Sequence, residues 1–183
     1  MKAIAIDFET ACGGDGNACQ IGLAWIEGHQ IVRVEERYIR PRDMRFRFTW
    51  CHGITEEHCW DQPEFPEVIS EFRSELDGAL VLAHNARFDA RVLGGCFSFY
   101  GLDRLNLDFL CTLQVARTMW PALPSKSLKS VADHLGLKFR HHNAAEDARV
   151  CALIAIAAAR IMGVFDVADI GPRLPAFREQ RRR

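Results

Sequence analysis

The segment "AIAIDFETAC", residues 3–12, gives the first indication of the fold. It begins with small and branched apolar residues, Ala3 to Ile6, which are typical of a buried β-strand. Asp7 and Glu9 follow with one residue between them, and they share one face because side chains alternate along a strand. Two like charges this close repel by about 1 to 4 kcal/mol where they are partly shielded from water. The sequence therefore predicts a strand that ends in two carboxylates requiring compensation.

The composition favours one globular domain and excludes several classes of protein. The chain has 183 residues, 49% of them hydrophobic, and a net charge of −1, so nucleic-acid binding must come from a local patch or from bound cations. Its longest apolar stretch, 150–164, contains a charged residue and is shorter than the roughly 20 residues of a membrane span. The N-terminus lacks a cleavable signal pattern. We expect a cytoplasmic protein with no membrane partner.

The cysteines favour free thiols in a reducing cytoplasm. There are seven, an odd number, dispersed along the chain without a C-x-x-C pair. A zinc site in "CHGITEEHC", with Cys51, His52, His58 and Cys59, is the weaker alternative, because its spacing fits no common zinc pattern.

The pattern of apolar residues predicts an α/β fold. Three early strands joined by a glycine-rich break and by the tight turn "EGHQ" predict an antiparallel meander, after which strands and helices alternate. Strands are predicted over 2–8, 18–26, 30–39, 79–83 and 105–110, and helices near Thr55 and over 63–78, 85–100, 112–119, 127–135 and 143–162. We expect one domain over 1–165, followed by a basic C-terminal tail over 166–183 that is no separate domain.

Two further acids are expected at the starts of helices, on their apolar faces. Asp89 in "VLAHNARFDARVL" aligns with the apolar stripe of its helix, and Asn85 is a plausible cap. In "HHNAAEDARVCALIAIA", Asn143 resembles a helix cap and Asp147 aligns with the apolar side, while His142 stands before the cap.

The four acids together predict a metal site. A single acid on an apolar stripe is usually a hydrogen-bonded structural residue, but Asp7, Glu9, Asp89 and Asp147 are all expected at the rim of one sheet. The sequence supplies no run of Lys or Arg at these positions. Two divalent cations, Mg²⁺ or Mn²⁺, satisfy such carboxylates and suit hydrolysis of a phosphodiester.

The motifs "DFET", "HNARFD" and "HNAAED" resemble those of the DnaQ-like DEDDh 3′–5′ exonuclease superfamily, which includes the epsilon subunit of DNA polymerase III, RNase T and oligoribonuclease. The segments "HGITEE", "CTLQVAR" and "SLKSVADHLGL" extend the resemblance over about residues 2–160. It implies a ribonuclease H-like fold, with a five-stranded mixed sheet whose first three strands are antiparallel and whose others are parallel, flanked by helices. It also implies release of nucleoside 5′-monophosphates from 3′ ends.

The resemblance also implies a role for each site residue. Asp7 would bridge two metals, Glu9 and Asp147 would bind the tighter one, and Asp89 would hold the second, largely through water. His142 would take the proton from the attacking water, which suits an imidazole. The competing interpretation of His142 is a surface or capping histidine.

Substrate contacts are predicted for a second group of residues. By resemblance, His52 contacts the terminal nucleotide, Ile54 wedges against its base, and the backbone around Thr10 meets the 3′-hydroxyl, whereas Phe88 is expected in the core. In "RPRDMRFRFTW", arginines including Arg45 and Arg47 alternate with aromatic residues, as in surfaces that hold single strands. The alternative for this stretch is a solvated loop whose aromatic residues cover the core.

Three functions remain open at this stage. The first is a 3′–5′ exonuclease that acts on single-stranded DNA. The second is an exoribonuclease with the same site, since discrimination depends on a few contacts at the sugar. The third is an accessory proofreading subunit that docks on a DNA polymerase. The oligomeric state is not readable from the sequence.

Overall fold

The computed structural model describes residues 3–14 and 16–174. Their strands form one sheet in the order β3-β2-β1-β4-β5. The pairs β1/β2 and β2/β3 are antiparallel, whereas β1/β4 and β4/β5 are parallel, so the predicted mixed sheet is confirmed. The strands are β1 (Ala3–Thr10), β2 (Ala18–Glu27), β3 (Gln30–Tyr38), β4 (Leu80–Ala83) and β5 (Asp108–Cys111).

Helices follow β4 and β5, and helices cover both faces of the sheet. They are α1 (Thr49–His52), α2 (Glu56–Cys59), α3 (Phe65–Leu76), α4 (Arg87–Phe99), α5 (Thr112–Met119), α6 (Leu128–His134) and α7 (Ala144–Met162). The predicted helix over 85–100 begins two residues later than expected. Asn85 has a φ of 71°, in the left-handed region, so it belongs to the turn before the helix and does not cap it.

The residues of β1 alternate between two cores, as the period of two predicts. Ile4, Ile6 and Phe8 pack on the side of α3 and α4. Ala3 and Ala5 pack on the opposite side, against the alanine-rich α7. Because these side chains are small, α7 lies close to the sheet, and Asp7 and Glu9 continue the face that α7 covers.

The segment after α7 belongs to the described part of the chain as far as residue 174. Residues 166–174 contain two short 3₁₀ helices, Val167–Asp169 and Gly171–Arg173, and Leu174 is buried against the core on the α7 side. The expected basic tail begins within this packed segment, and its remainder, 175–183, lies outside the described residues.

In the described part of the chain, no individual helix combines the length and apolarity that crossing a membrane requires. Within the described residues, only the pair formed by α7 and Val167–Arg173, which meet at a bend of 71°, has the required length and composition.

Candidate active site

The C-terminal end of β1 extends past β4, so its backbone N–H and C=O groups on that side are not paired with β4. β4 pairs with β1 at Ala3, Ile4 and Ala5, so Phe8 lies beyond the pairing on that side. Asp89 fills this position: its Oδ1 accepts a hydrogen bond of 3.2 Å from the backbone N–H of Phe8. Since Asp89 is only 1% exposed, this bond fixes its carboxylate beside the acidic end of β1.

A glycine allows the first turn of α7 to reach the same place. Gly22 lies opposite Asp7 in the β1/β2 pair. A Cβ atom at Gly22 would overlap the carbonyl group of Ala144, at the start of α7. The missing side chain therefore brings the N-terminus of α7, and with it Asp147, next to Asp7.

Polar side chains fix the N-terminus of α7 on the sheet. The side chain of Asn143 accepts a hydrogen bond of 3.0 Å from the N–H of Glu146, as the predicted cap requires. Gln20 Oε1 accepts another, of 3.2 Å, from the N–H of Ala144. The amide groups of Gln20 and Asn143 both donate to Glu36 Oε2, at 3.3 and 3.1 Å. This network ties the helix start to β2 and β3.

Three carboxylates converge where these elements meet. Asp7, Glu9 and Asp147 each place an oxygen within 4.8 Å of the others. Glu9 and Asp147 are 9% and 4% exposed, respectively. Within residues 3–14 and 16–174, none of the three forms an ion pair with Lys or Arg. A cluster of hard oxygen donors without a basic partner fits Mg²⁺ or Mn²⁺.

Burial and mutual repulsion make these carboxyl groups reluctant to ionise. Burial, followed by the charges of Asp89, Asp147 and Glu9, raises the pKa of Asp7 well above its ordinary value. Burial and then Asp147 raise the pKa of Glu9 to about 7. Burial raises the pKa of Asp147 to about 7 and that of Asp89 to about 8, although backbone N–H groups oppose both shifts. At neutral pH the site therefore requires protons or cations.

Two adjacent histidines border the acids. His142 has a φ of 65°, and its backbone N–H donates to Asp147 Oδ2 at 3.2 Å. The ring of His141, which sequence reasoning overlooked, places Nδ1 3.0 Å from the same oxygen. The two rings stack with centroids 3.9 Å apart. Burial and then His141 lower the pKa of His142, against the opposing effect of Asp147, so its imidazole is available as a neutral base. The doublet "HH" before the cap was the available sequence signal.

Asp7, Glu9, Asp147 and His142 line a cleft of about 520 Å³ that is also lined by Thr10 and His52, whereas Asp89 lies behind its wall. Both ring nitrogens of His52 are already engaged: Nδ1 accepts from the N–H of Ile54 at 3.0 Å, and Nε2 lies 3.2 Å from the carbonyl oxygen of Thr10. His52 thus offers its ring face to the cleft and holds the backbone of Thr10 in place.

The surroundings of Ile54 and of the residues in the zinc alternative differ from those that the predictions require. Ile54 is 4% exposed and packs with Ala11, Cys19 and Cys59, so its side chain faces the core and does not wedge into the cleft as expected. The zinc alternative lacks support, since among the described residues Cys51, His52, His58 and Cys59 provide no three ligand atoms within 4.8 Å of one another, and His58 Nδ1 accepts from the N–H of Thr55 and caps α2.

The basic and aromatic stretch divides between the cleft and its surroundings. Phe48 and Trp50 line the cleft, and Trp50 is 83% exposed. Arg45 and Arg47 are exposed and do not line it. Phe88 was expected in the core, but it packs against the core and also lines the cleft. The aromatic residues, rather than the arginines, form the walls beside the acids.

The sequence model of the RNase T exonuclease family matches residues 4–155. The chain belongs to this exonuclease family. Its three acidic motifs and its histidine before the last acid make it an exonuclease domain of the DEDDh type, and its sheet is the ribonuclease H-like fold that the resemblance implied.

Known relatives of the exonuclease domain include parts of DNA polymerases. It is 39% identical over 167 residues to the DNA polymerase III subunit epsilon of Pasteurella multocida, covering 82% of this chain and 65% of that protein. It is 37% identical over 157 residues to the PolC-type DNA polymerase III of Thermotoga maritima, covering 82% of this chain and 11% of that protein. The chain thus spans about a tenth of the PolC-type relative and just under two thirds of the epsilon subunit.

Solved structures share the fold of the exonuclease domain. Exonuclease X, solved in complex with 5′ overhanging duplex DNA, is 26% identical, with a TM-score of 0.73, covering 88% of this chain and 93% of that chain. A structure of exonuclease I has a TM-score of 0.75 at 16% identity, covering 87% of this chain and 41% of that chain, which supports the fold alone.

Proposed function

We propose that this chain is a metal-dependent 3′–5′ exonuclease that removes nucleoside 5′-monophosphates from single-stranded DNA. The observation that carries the proposal is the convergence of Asp7, Glu9 and Asp147 within 4.8 Å, with Asp89 buried at the same strand end. The relatives are named as DNA polymerase III proteins, which favours DNA over RNA.

Two divalent cations, Mg²⁺ or Mn²⁺, would supply the positive charge that stabilises a phosphodiester undergoing hydrolysis. Asp7 would contact both, Glu9 and Asp147 would hold one, and Asp89 would hold the other. The carboxylates fit this role because they are buried, close together and without basic partners among the described residues.

The side chains of the cleft perform the remaining steps. Aromatic rings at Phe48 and Phe88 give the last base apolar surfaces to pack against. His142 accepts a proton from a water molecule whose oxygen attacks the terminal phosphorus. The bond from phosphorus to the 3′ oxygen of the preceding nucleotide breaks, and that oxygen takes a proton from solvent water and becomes the new 3′ hydroxyl. His141 keeps the Asp147 carboxylate in position through its hydrogen bond.

The test is digestion of 3′-labelled and 5′-labelled oligonucleotides, as single-stranded DNA, duplex DNA and RNA of one sequence, with Mg²⁺, with Mn²⁺ and with EDTA. The proposal predicts immediate release of labelled mononucleotide from the 3′-labelled DNA and stepwise shortening of the 5′-labelled DNA. EDTA and the Asp7→Asn substitution should stop both, whereas Asp103→Asn, an exposed acid away from the cleft, should not. Internal cutting, or full activity in EDTA, contradicts the proposal.

Three further points belong to the same proposal. If the protein digests RNA faster than DNA, its substrate is RNA, and the proposed chemistry stays the same. Since two relatives are polymerase III proteins, association with a DNA polymerase is the partner to test, by co-purification from cells. None of the seven cysteines, all within the described residues, forms a disulfide, which fits the cytoplasm as the location.

A further inference from the structure

The two histidines before α7 and the acid that follows them form a second group of potential metal ligands. His141, His142 and Asp147 each place a ligand atom within 4.8 Å of the others. This group shares Asp147 with the cluster of Asp7, Glu9 and Asp147, but it differs in chemistry. Two of its three ligand atoms are imidazole nitrogens, whereas the acidic cluster offers carboxylate oxygens alone.

The backbone of the turn before α7 places both imidazole rings on the same side of the chain. Successive side chains of an extended segment point to opposite faces. His142 has a left-handed φ of 65°, and its ring lies on that of His141, with an angle of 17° between the two planes. The backbone N–H of His142 and Nδ1 of His141 lie 3.2 and 3.0 Å from the same oxygen of Asp147. The turn therefore holds both rings beside one carboxylate.

The three side chains can close around one ion by local rotation. The ligand atoms of a tetrahedral zinc site lie about 3.3 Å apart, because each lies about 2.0 Å from the ion. The lone pair of an imidazole nitrogen lies in the plane of the ring, so the stacked rings must rotate to point at one ion. Both rings are partly exposed, the side chain of His141 by 31%, so this rotation needs no repacking of the core.

The ligand set favours Zn²⁺ over the cations proposed for the acids. Mg²⁺ and Mn²⁺ prefer oxygen ligands, whereas imidazole suits Zn²⁺, and Zn²⁺ also binds more tightly than Mn²⁺ in the general order of divalent metals. Two imidazoles, one carboxylate and one water supply the four ligands that Zn²⁺ takes. Glu9, whose carboxylate lies beside that of Asp147, adds negative charge near the ion.

We infer that His141, His142 and Asp147 bind Zn²⁺, and that the bound ion stops the exonuclease. Inhibition rests on the proposed function, whereas binding does not. A neutral imidazole has one nitrogen that accepts a proton, so His142 cannot act as a base while that nitrogen is bonded to Zn²⁺. Asp147 is withdrawn from the cations at the acids at the same time. The rate of digestion therefore depends on the concentration of free Zn²⁺.

The binding test is a calorimetric titration of metal-free protein with Zn²⁺, in variants that separate the two groups of ligands. Asp7→Asn disrupts the acidic cluster and keeps His141, His142 and Asp147, so it should still bind Zn²⁺. Adding His141→Phe, which keeps a flat ring, should weaken that binding by more than about 100-fold, since loss of even an outer partner of a metal ligand costs about 10–100-fold. Adding His134→Phe instead, at an exposed histidine of α6, should leave it unchanged.

The imidazole nitrogens give a readout that reports coordination directly. In Asp7→Asn, Zn²⁺ should shift the ¹⁵N resonances of two histidines, which are assigned by their absence in His141→Phe and in His142→Phe. Circular dichroism of each variant verifies the fold. If His141→Phe does not fold, His142→Phe tests the same site in the titration.

Inhibition is measured by digestion of 3′-labelled single-stranded DNA in Mg²⁺ with increasing Zn²⁺. Each rate is divided by the rate of the same variant without Zn²⁺, because His141 also positions Asp147. The Zn²⁺ concentration that halves this ratio should be at least about 10-fold higher in His141→Phe than in wild type. His134→Phe is the matched control and should behave as wild type.

The outcomes separate the zinc site from the proposed function. Zn²⁺ binding that Asp7→Asn abolishes, or that the added His141→Phe leaves unchanged, overturns the site. Equal inhibition of wild type and His141→Phe overturns the inhibitory role. If wild type hydrolyses neither DNA nor RNA in Mg²⁺ or Mn²⁺, the proposed function fails and inhibition falls with it, while the titration still decides whether the histidines bind Zn²⁺.

Discussion

Asp147 and Asp89 occupy equivalent places on two helices, but they are held in different ways. The start of α7, which carries Asp147, is fixed by a capped first turn, by Gln20 and by the close approach at Gly22. The start of α4 has no side-chain cap, and Asp89 is fixed by its own bond to the backbone of Phe8. The position of Asp147 therefore depends on Gln20 and Gly22, far from it in the sequence, in addition to its bonds with the adjoining histidines, whereas Asp89 is held mainly by its own hydrogen bond to Phe8.

The largest expected effect comes from the acids themselves. Asp147→Asn and Asp89→Asn should each lower kcat by about 10³-fold, because each removes a charge that holds a cation worth several kcal/mol to the transition state. Single-turnover digestion of a 3′-labelled oligonucleotide measures this, with Asp103→Asn as the control. If a variant of either acid keeps a tenth or more of wild-type activity, that acid is not part of the catalytic site.

The two histidines beside Asp147 should differ in their effects. His142→Ala should lower kcat by about 10²-fold or more, the range for loss of a general base. His141→Ala should cost less, since His141 acts by orienting Asp147. Because a general base must be unprotonated, wild-type kcat should rise as the pH increases from acidic values. The rise should end at a pH below the ordinary histidine pKa, because the pKa of His142 is lowered. Equal losses of kcat in the two variants would contradict this assignment. So would a rise of kcat with pH that persists in His142→Ala.

The remote support of α7 can be tested with a pair of glycines. Gly22→Ala should destabilise the fold by about 1–3 kcal/mol and lower activity, because the new methyl group displaces the helix start that carries Asp147. Gly94→Ala, within α4, meets nothing within 4 Å and should be neutral or stabilise by up to about 1 kcal/mol. Denaturant melts and nuclease assays on both variants measure this. Normal activity in Gly22→Ala would show that Asp147 does not depend on this approach.

The remaining expected effect is on the stability of the metal-free protein. The folded site binds its protons more tightly than the unfolded chain, whose carboxyl groups have pKa values of about 4. This stabilisation is complete below about pH 4 and is lost progressively until pH exceeds the folded pKa values of about 7 to 8, so Tm in EDTA should fall between about pH 4 and pH 8.

Cations should reverse this loss. Mn²⁺ at 100 times its Kd should restore about 2.7 kcal/mol for each bound ion at pH 8, and much less at pH 5, where protons compete with it. Asp147→Asn and Asp89→Asn should each flatten the fall in Tm. A Tm that is independent of pH in EDTA would contradict the description of the acids as an uncompensated cluster.

Much of this arrangement was readable from the sequence, because local patterns determine it. The alternation in β1 and the cap at Asn143 predicted the strand, the helix start and the shared face of the acids. The left-handed turn at Asn85 was missed because an asparagine before a helix is equally typical of a cap. The burial of Ile54 and the contact of His141 with Asp147 depend on how distant segments pack, which no local pattern specifies.

The most direct test is a calorimetric titration of the metal-free protein with Mn²⁺ at pH 8, wild type beside Asp7→Asn. A site in which Asp7 contacts both cations predicts two Mn²⁺ per chain for wild type, and at most one, bound more weakly, for Asp7→Asn. No binding to wild type, or unchanged stoichiometry and affinity in the variant, would contradict it.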